Sequence, residues 1–554
     1  MTVGIFLTVC LDVSEKICNF VVDKQKWIMA DRKYPIGIQT FSEIIRGGYV
    51  YVDKTDLAWK LIQQSKYTFL SRPRRFGKSL LTSTLKAYFE GCRDLFEGLK
   101  IMPLEQEWKT YPVIHIDLSQ AKSQPSAEAL QQRIMFMLKD YTNIYGQDAD
   151  ETTPGALLTG LVKRAHRQTG HPVVVLIDEY DAPLLEVLHE EQNLPEFRRV
   201  MQEFYVPLKA LDPYLRYCFI TGITKFSQLS IFSTINNLNN VTMLPQFSAI
   251  CGITEEELNI VMEEDIRLLA ESQDYTPEEM RQRLKNHYDG YHFSEYSPEM
   301  YNPFSLMKCF QNKKLQNYWF ESGTPTYLLR QMQHFHTDIT TLDYMEETAD
   351  SFDVPTEAMH SALPLLYQSG YLTIKNYDPE AQTYLLSLPN QEVRIGYTKG
   401  LLPTYAGLDV SNTQTGFALK FWRALKKHDP NLAMREMQAF LAGIPYVEGF
   451  KKKLEEAATK EGFYEYTLYL IFSMLNVYVR TQVKCSGGRV DMVVWMPDNI
   501  YVFEFKVNGT AEDALRQIDD QGYAIPYQTD HRPVVKIGVK FNADTRIPES
   551  WQMG

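Results

Sequence analysis

A chain of 554 residues has room for about three domains, and its 44% hydrophobic and 23% charged residues are those of a soluble globular protein. The net charge of −12 excludes a global basic field, so nucleic acid can be met only through local basic patches. Cys10, Cys18, Cys92, Cys218, Cys251, Cys309 and Cys485 form no Cys-x-x-Cys pair, which argues for reduced thiols in a cytoplasmic protein and against a zinc site.

No apolar run reaches the roughly 18 residues of a membrane helix. Met1 to Cys10 has the look of a short signal h-region, but no basic stretch precedes it and Asp12 and Glu15 follow, so export is not expected. The stretch from Met29 to Ile38 is a more natural beginning, and residues 1–33 are read as an N-terminal extension.

Tyr51-Val-Asp-Lys-Thr55 precedes a helix expected over 56–64, with Asp53 or Thr55 as its cap. This segment is placed near the ligand of the loop that follows. Tyr67 to Leu70 predicts a short strand, and a turn then leads to a helix starting near Gly77. Backbone N–H groups at such a start cradle a phosphate. In Gly77-Lys78-Ser79 the lysine can reach β- and γ-phosphates and the serine can ligate Mg²⁺. This is the second half of a P-loop. The first half departs from the pattern, with Arg72 at the usual glycine position and Arg74 and Arg75 crowding the turn behind Pro73.

Pro112 to Ser119 predicts a second strand, with His115 as a core histidine and Asp117 at the rim where ligands collect in parallel α/β sheets. Helices are expected over 126–141 and 153–168. Val173-Val-Val-Leu-Ile-Asp-Glu179 is a strand buried on both faces that ends in two carboxylates. Asp178 would hold Mg²⁺ through water, and Glu179 would orient or deprotonate an attacking water. Tyr217 to Gly222 is a fourth strand. Thr221 or Thr224 would sense a γ-phosphate, a helix cap being the alternative. These elements predict one doubly wound α/β domain over 34–250, of the additional-strand class.

From Gly252 to about 400 the pattern is mostly helical, opening with a capping box at Thr254 and Glu257. It is read as a helical lid or winged-helix-like connector over 251–400. Its aromatic pieces (Tyr288 to Phe293, Tyr301 to Phe304, Tyr318 to Pro325) are read as packing.

The last part, 401–554, carries Gly488-Arg-Val-Asp-Met-Val-Val-Trp495 and Tyr501-Val-Phe-Glu-Phe-Lys506. They predict a β-hairpin with Met496 to Asn499 as its turn. Glu504 and Lys506 share a face because strand side chains alternate. Charged groups in so apolar a hairpin are costly unless they serve each other or a metal. Asp491 and Glu504 can bind Mg²⁺, and Lys506 can position water and stabilise a phosphorane-like transition state. Glu461 and Glu465 share a helix face, and either would add a carboxylate. A helix over 511–518 bears Gln517, followed by Tyr523.

Tyr51 to Thr55, Arg72-Pro-Arg-Arg-Phe-Gly-Lys-Ser79, Leu176-Ile-Asp-Glu-Tyr-Asp181 and Thr221-Gly-Ile-Thr-Lys-Phe226, continuing to Ile231-Phe-Ser233, resemble the AAA-ATPase-like family of P-loop ATPases common in gut bacteria. Gly488 to Asp491, Phe503 to Lys506, Ala514 to Ile518 and Tyr523 resemble the PD-(D/E)XK nuclease-superfamily domain joined to it. The resemblance implies ATP binding by Lys78, Ser79, Asp178 and Glu179. It also implies a metal nuclease centre at Asp491, Glu504 and Lys506 on a mixed sheet flanked by helices. Relatives often place a Glu just upstream of the Gly-Arg-x-Asp motif, where this chain has Thr481, Gln482 and Lys484. The expectation is an ATP-binding and ATP-hydrolysing protein whose Mg²⁺-dependent nuclease-like domain acts on nucleic acid, DNA before RNA. Arg74 and Arg75 would contact phosphates in cis or across a subunit interface of a homo-oligomer. The alternative is a nucleotide-gated signalling or scaffold ATPase whose nuclease-like domain only binds.

Overall fold

The computed structural model describes residues 32–188, 190, 192–225, 237–322, 326–337, 342, 344–355, 359–401, 412–442, 478–485, 488–496, 498–543, 545 and 547–554. Residues 1–31 of the extension, Phe226, Ser227, Ile231 to Ser233, Glu461 and Glu465 lie outside the described residues, as do the side chains of Thr481, Gln482 and Lys484.

Helix α1 (Thr55–Gln64) leads into β1 (Tyr67–Ser71), the loop and α2 (Lys78–Phe89). Then come β2 (Val113–Asp117), α3 (Pro154–Thr169), β3 (Val173–Asp178), β4 (Leu215–Gly222) and the short β5 (Asn239–Asn240). The strands form one parallel sheet in the order β2-β3-β4-β1-β5. Every residue of β1 and β3 is buried, as expected of strands covered on both faces. β4 lies between β1 and β3, so the loop strand and the Asp-Glu strand are not neighbours. Helix boundaries follow local chemistry. In α3 the Thr153 hydroxyl accepts from the Ala156 N–H, Pro154 takes the first turn, and Gly170 closes the helix in the left-handed region, the usual asymmetry of helix ends. The helix expected over 126–141 is broken at Leu138 into Ala127–Met137 and Lys139–Tyr145.

The middle segment has α4 (Glu255–Ser272), α5 (Pro277–Tyr288), α6 (Pro303–Asn312), β6 (Met345–Glu347), α7 (Leu363–Gln368), β7 (Thr373–Asp378), β8 (Thr383–Ser387) and α8 (Gln391–Leu401). The capping box at Thr254 and Glu257 is present, and Thr276 with Glu279 makes a second one. The segment is not purely helical, because β6, β8 and β7 form an antiparallel sheet behind α7.

Helices α9 (Asn412–Lys426) and α10 (Pro430–Ala442) lean on the last sheet. Gln438 donates to the Pro548 carbonyl at 2.7 Å, and the Trp551 indole donates to Asn431 at 3.0 Å. That sheet runs β9 (Tyr478–Cys485), β10 (Gly488–Trp495), β11 (Ile500–Lys506), β12 (Val534–Phe541), β13 (Pro548–Met553), with α11 (Ala511–Asp520) between β11 and β12. Only β11 and β12 pair in parallel, so the sheet is mixed. One hydrophobic core runs through the first sheet, the middle segment and one face of the last sheet. A second lies under α4, α5 and α6, and a third lies between the last sheet and α11.

Candidate nucleotide site and nuclease-like centre

The phosphate loop leaves the carboxyl edge of β1, where the Arg72 N–H donates to the Gly222 carbonyl at 3.2 Å. Gly77 caps α2 with φ of 95°. A Cβ there would meet nothing within 4 Å, so the left-handed backbone, not space, calls for glycine. Lys78 is buried, and its ammonium donates to the carbonyls of Arg72 at 2.9 Å and Pro73 at 3.0 Å. Burial lowers its pKa, opposed by Glu179, Asp178 and Asp181.

Asp178 stands at the end of β3, in register with Asp117 of β2. Burial pushes its carboxyl up to about 6, against a hydrogen bond from Ser79 and the charge of Lys78. A buried carboxylate short of counter-charge beside a serine hydroxyl is a hard-oxygen donor pair, and it fits Mg²⁺. Asp117 accepts from the Ser119 N–H at 3.0 Å and caps the turn after β2. Glu179 follows with φ of 48°, and its carboxylate meets the Lys122 ammonium at 2.5 Å. Burial opposes its charge, but Lys122 first, then Lys78 and Arg74, hold the carboxyl below the usual range.

Both hydroxyls considered as phosphate sensors point into the fold. Thr221 is fully buried and donates to the Leu70 carbonyl at 2.7 Å, bridging β4 to β1. Thr224 donates to Asp181 at 2.7 Å. Asp181 also takes the N–H groups of Ile223 and Thr224, a role the sequence reading missed. A Cβ on Gly222 would lie 2.5 Å from the Asp181 carboxylate.

The arginines divide. Arg72 is 1% exposed and donates to the carbonyls of Ser71 at 2.9 Å, Thr242 at 2.8 Å and Phe247 at 3.0 Å. Its guanidinium lies 4.2 Å from the Phe293 ring centre. At the usual glycine position it is a brace between the loop and the middle segment. Arg75, at φ of 67°, stacks on Phe304 of α6 at 3.7 Å. Arg74 acts electrostatically on Glu179, and its carbonyl accepts from the Trp319 indole at 3.4 Å.

A shallow cleft with a cavity volume of about 80 Å³ opens beside Gly77. Val50, Val52, Lys54, Leu80, Cys251 and Met307 are among its walls, so the Tyr51 to Thr55 motif does border the loop. Lys54 is tied to Glu257, the capping glutamate of α4, at 2.5 Å. Asp53 braces α1 by accepting from the N–H and hydroxyl of Thr55.

In the last sheet the β10–β11 ladder ends at Met492 opposite Phe503. The next pair in that register is Asp491 and Glu504. There the Asp491 carboxylate takes the place of a ladder carbonyl, accepting from the Phe505 N–H at 2.7 Å. Glu504 is 3% exposed, and the Lys506 ammonium lies 3.9 Å from it. Lys506 also donates to Gln517 of α11, whose amide donates to the Tyr523 hydroxyl at 3.4 Å. A Cβ on Gly488 would lie 3.0 Å from that hydroxyl. Gly488, Asp491, Glu504, Lys506, Gln517 and Tyr523 therefore form one polar cluster. Among the described residues no group of three or more His, Cys, Asp and Glu is arranged around a metal position. The pair Asp491 and Glu504 offers hard oxygen donors that suit Mg²⁺ keeping several waters.

A family model described as a predicted AAA-ATPase matches residues 35–232, and one described as the PD-(D/E)XK nuclease superfamily matches residues 459–551. An uncharacterized protein in the vnfD 5' region of Azotobacter chroococcum mcd 1 is 34% identical over 530 residues, covering 94% of this chain and 98% of that protein. A Walker-type ATPase of Pyrococcus abyssi is similar at 12% identity and a TM-score of 0.33, over 61% of this chain and 93% of that one. That overlap is too slight to bear on function.

Proposed function

Because this chain belongs to the predicted AAA-ATPase family and ends in a PD-(D/E)XK nuclease-superfamily domain, we propose that it hydrolyses ATP at the phosphate loop and that this event governs cleavage of nucleic acid, DNA in the first instance, at the C-terminal centre. One observation carries the nucleotide half. Lys78 and Ser79 open α2 just after β1, while Asp178 and Glu179 stand at the end of β3, which is not a sheet neighbour of β1, yet these side chains meet at the start of α2.

Lys78 and the N–H groups at the start of α2 bind the triphosphate. Ser79 and Asp178 hold Mg²⁺, which neutralises the phosphate oxygens when bound. Glu179 orients the attacking water. The base enters the cleft beside Gly77. Among the described residues its walls carry no carboxylate or side-chain amide to pair the extra donors of guanine, so adenine leaves fewer polar groups unpaired. In the C-terminal centre Asp491 and Glu504 hold Mg²⁺, and Lys506 stabilises charge on the phosphodiester.

The first experiment measures ATP hydrolysis in the wild-type chain, Lys78→Ala and Glu179→Gln, and cleavage of single- and double-stranded DNA and RNA with Mg²⁺ or Mn²⁺, with and without ATP, beside Lys506→Ala. ATP-responsive cleavage lost in Lys506→Ala is the expected result. A second reading, in which the nuclease-like domain only binds, is favoured by the hydrogen bond that commits one Asp491 oxygen to Phe505. Intact ATP turnover with no cleavage of any nucleic acid would select it.

A further inference from the structure

The cations around the phosphate loop have different employment. Arg72 is enclosed by carbonyls, Arg75 lies on Phe304, and Lys78 binds the carbonyls of its own loop. Lys122 is different: its ammonium rests on Glu179 at 2.5 Å. It sits on the turn after Leu118–Ala121, directly beyond β2. Since Asp117 and Asp178 are in register, that turn stands beside Glu179 at the carboxyl edge of the sheet. The Lys122 backbone is held where its carbonyl accepts from Gln124 at 3.0 Å. The two side chains, 34% and 26% exposed, retain room to part.

We propose that Lys122 is a catalytic residue of the ATPase, a cation from the same chain that leaves Glu179 for the γ-phosphate when the triphosphate binds. The proposal rests on the ATP reading of this site. The Lys122 ammonium occupies the Glu179 carboxylate at 2.5 Å, so the pair in its present form keeps that carboxylate from orienting a water. A γ-phosphate carries more negative charge than one carboxylate and competes for the ammonium. One movement then does two things: it frees the Glu179 carboxylate to orient the attacking water and brings positive charge to the oxygens over which transition-state charge spreads. In the step itself the water oxygen bonds to the γ-phosphorus. The bond from that phosphorus to the β–γ bridging oxygen breaks, and its electron pair leaves on ADP. One water proton passes to Glu179. ADP has nothing to draw Lys122 away, so the pair re-forms after phosphate departs.

The test uses the full chain as wild type, Lys122→Ala and Lys122→Arg. It measures kcat for ATP and calorimetric affinity for ADP. Lys122→Ala should lower kcat by about a hundredfold, the scale of losing one preorganised transition-state donor, with ADP affinity unchanged. Lys122→Arg, which keeps the charge, should recover at least part of the rate. A faster or unchanged rate in Lys122→Ala overturns the proposal, since Lys122 would then only restrain Glu179 or do nothing. Loss of ADP binding in Lys122→Ala together with the rate, unrelieved in Lys122→Arg, overturns it in favour of a structural role. A wild type that neither binds nor turns over ATP overturns the nucleotide reading itself, whereas wild-type turnover that survives Lys122→Ala overturns the role of Lys122 alone.

Discussion

The guanidinium of Arg75 lies 3.7 Å from the centre of the Phe304 ring. One residue belongs to the phosphate loop and the other to the first turn of α6, so the loop carries its own tether to the middle segment. Arg75 also lends positive charge to the buried Glu392 of α8.

Removing that tether should separate nucleotide binding from its consequences. Arg75→Met keeps the stem and deletes the charge, so it should cost about 0.5–2 kcal/mol, the range of a cation–π contact. Denaturant unfolding measures the loss. ATP should still bind, while its effect on cleavage or on protease sensitivity of the middle segment should shrink. An unaltered ATP response would mean that Arg75 does not transmit.

Arg72 makes a stronger demand. Its side chain serves carbonyls of Ser71, Thr242 and Phe247 in a site 1% exposed. Arg72→Gly would restore the common P-loop residue, yet it strands these acceptors, and each hydrogen bond from a charged group is worth about 1.5–3 kcal/mol. The expected outcome is a fall in stability of at least about 3 kcal/mol, read from the denaturation midpoint at constant slope.

Glu392 predicts a pH dependence. It is 1% exposed, and burial pushes its carboxyl up to about 7 despite hydrogen bonds from the Trp319 N–H, Ser305 and the Tyr318 N–H and the charge of Arg75. The folded pKa lies above the unfolded one. The stability gained from its proton is therefore fully present below the unfolded pKa and is lost as pH rises through about 7. At 1.36 kcal/mol per unit the loss is about 3 kcal/mol. Both N–H groups of Tyr318 and Trp319 bond to the same carboxylate oxygen, which a glutamine can reproduce. Glu392→Gln should thus match wild type near pH 5 and exceed it near pH 8 in denaturant titrations. Parallel curves for the two proteins across that range would refute the assignment.

Asp491 allows structure and chemistry to be separated. Asp491→Asn keeps an oxygen for the Phe505 N–H, so it should fold with near wild-type stability and lose cleavage. Asp491→Ala leaves that N–H without its acceptor and should cost about 1–3 kcal/mol as well. Thermal unfolding beside a cleavage assay distinguishes them. An active Asp491→Asn would remove this carboxylate from the metal site.

Gly77 and Gly222 should respond to alanine for different reasons. At Gly77 the space is open and φ is 95°, so Gly77→Ala should cost about 1–2 kcal/mol of backbone strain and weaken phosphate binding. At Gly222 a Cβ would lie 2.5 Å from both Asp181 and the Tyr180 ring. Gly222→Ala should therefore displace the residues after β4, visible as a larger loss in the unfolding midpoint.

The sequence by itself determined the strands β1, β3, β4, β10 and β11, because continuous apolar runs and turn residues act through neighbours along the chain. It also determined the Thr254 capping box and the grouping of Gly77-Lys78-Ser79, where a left-handed glycine and a helix start are local events. Which strands are neighbours was decided only by the tertiary structure: β4 enters between β1 and β3 because sheet order depends on crossovers, not on local pattern. The fates of the arginines were decided there too. Nothing near Arg72 and Arg75 in the chain says that Phe293 and Phe304 will receive them, since those rings arrive from more than 200 residues away by number. The same holds for Thr221, whose hydroxyl meets Leu70 only once β4 lies beside β1, and for Lys122, whose partner Glu179 is brought to it by the register of β2 on β3. A side chain's type is written in the sequence, but its charge is assigned a task only when distant segments close around it.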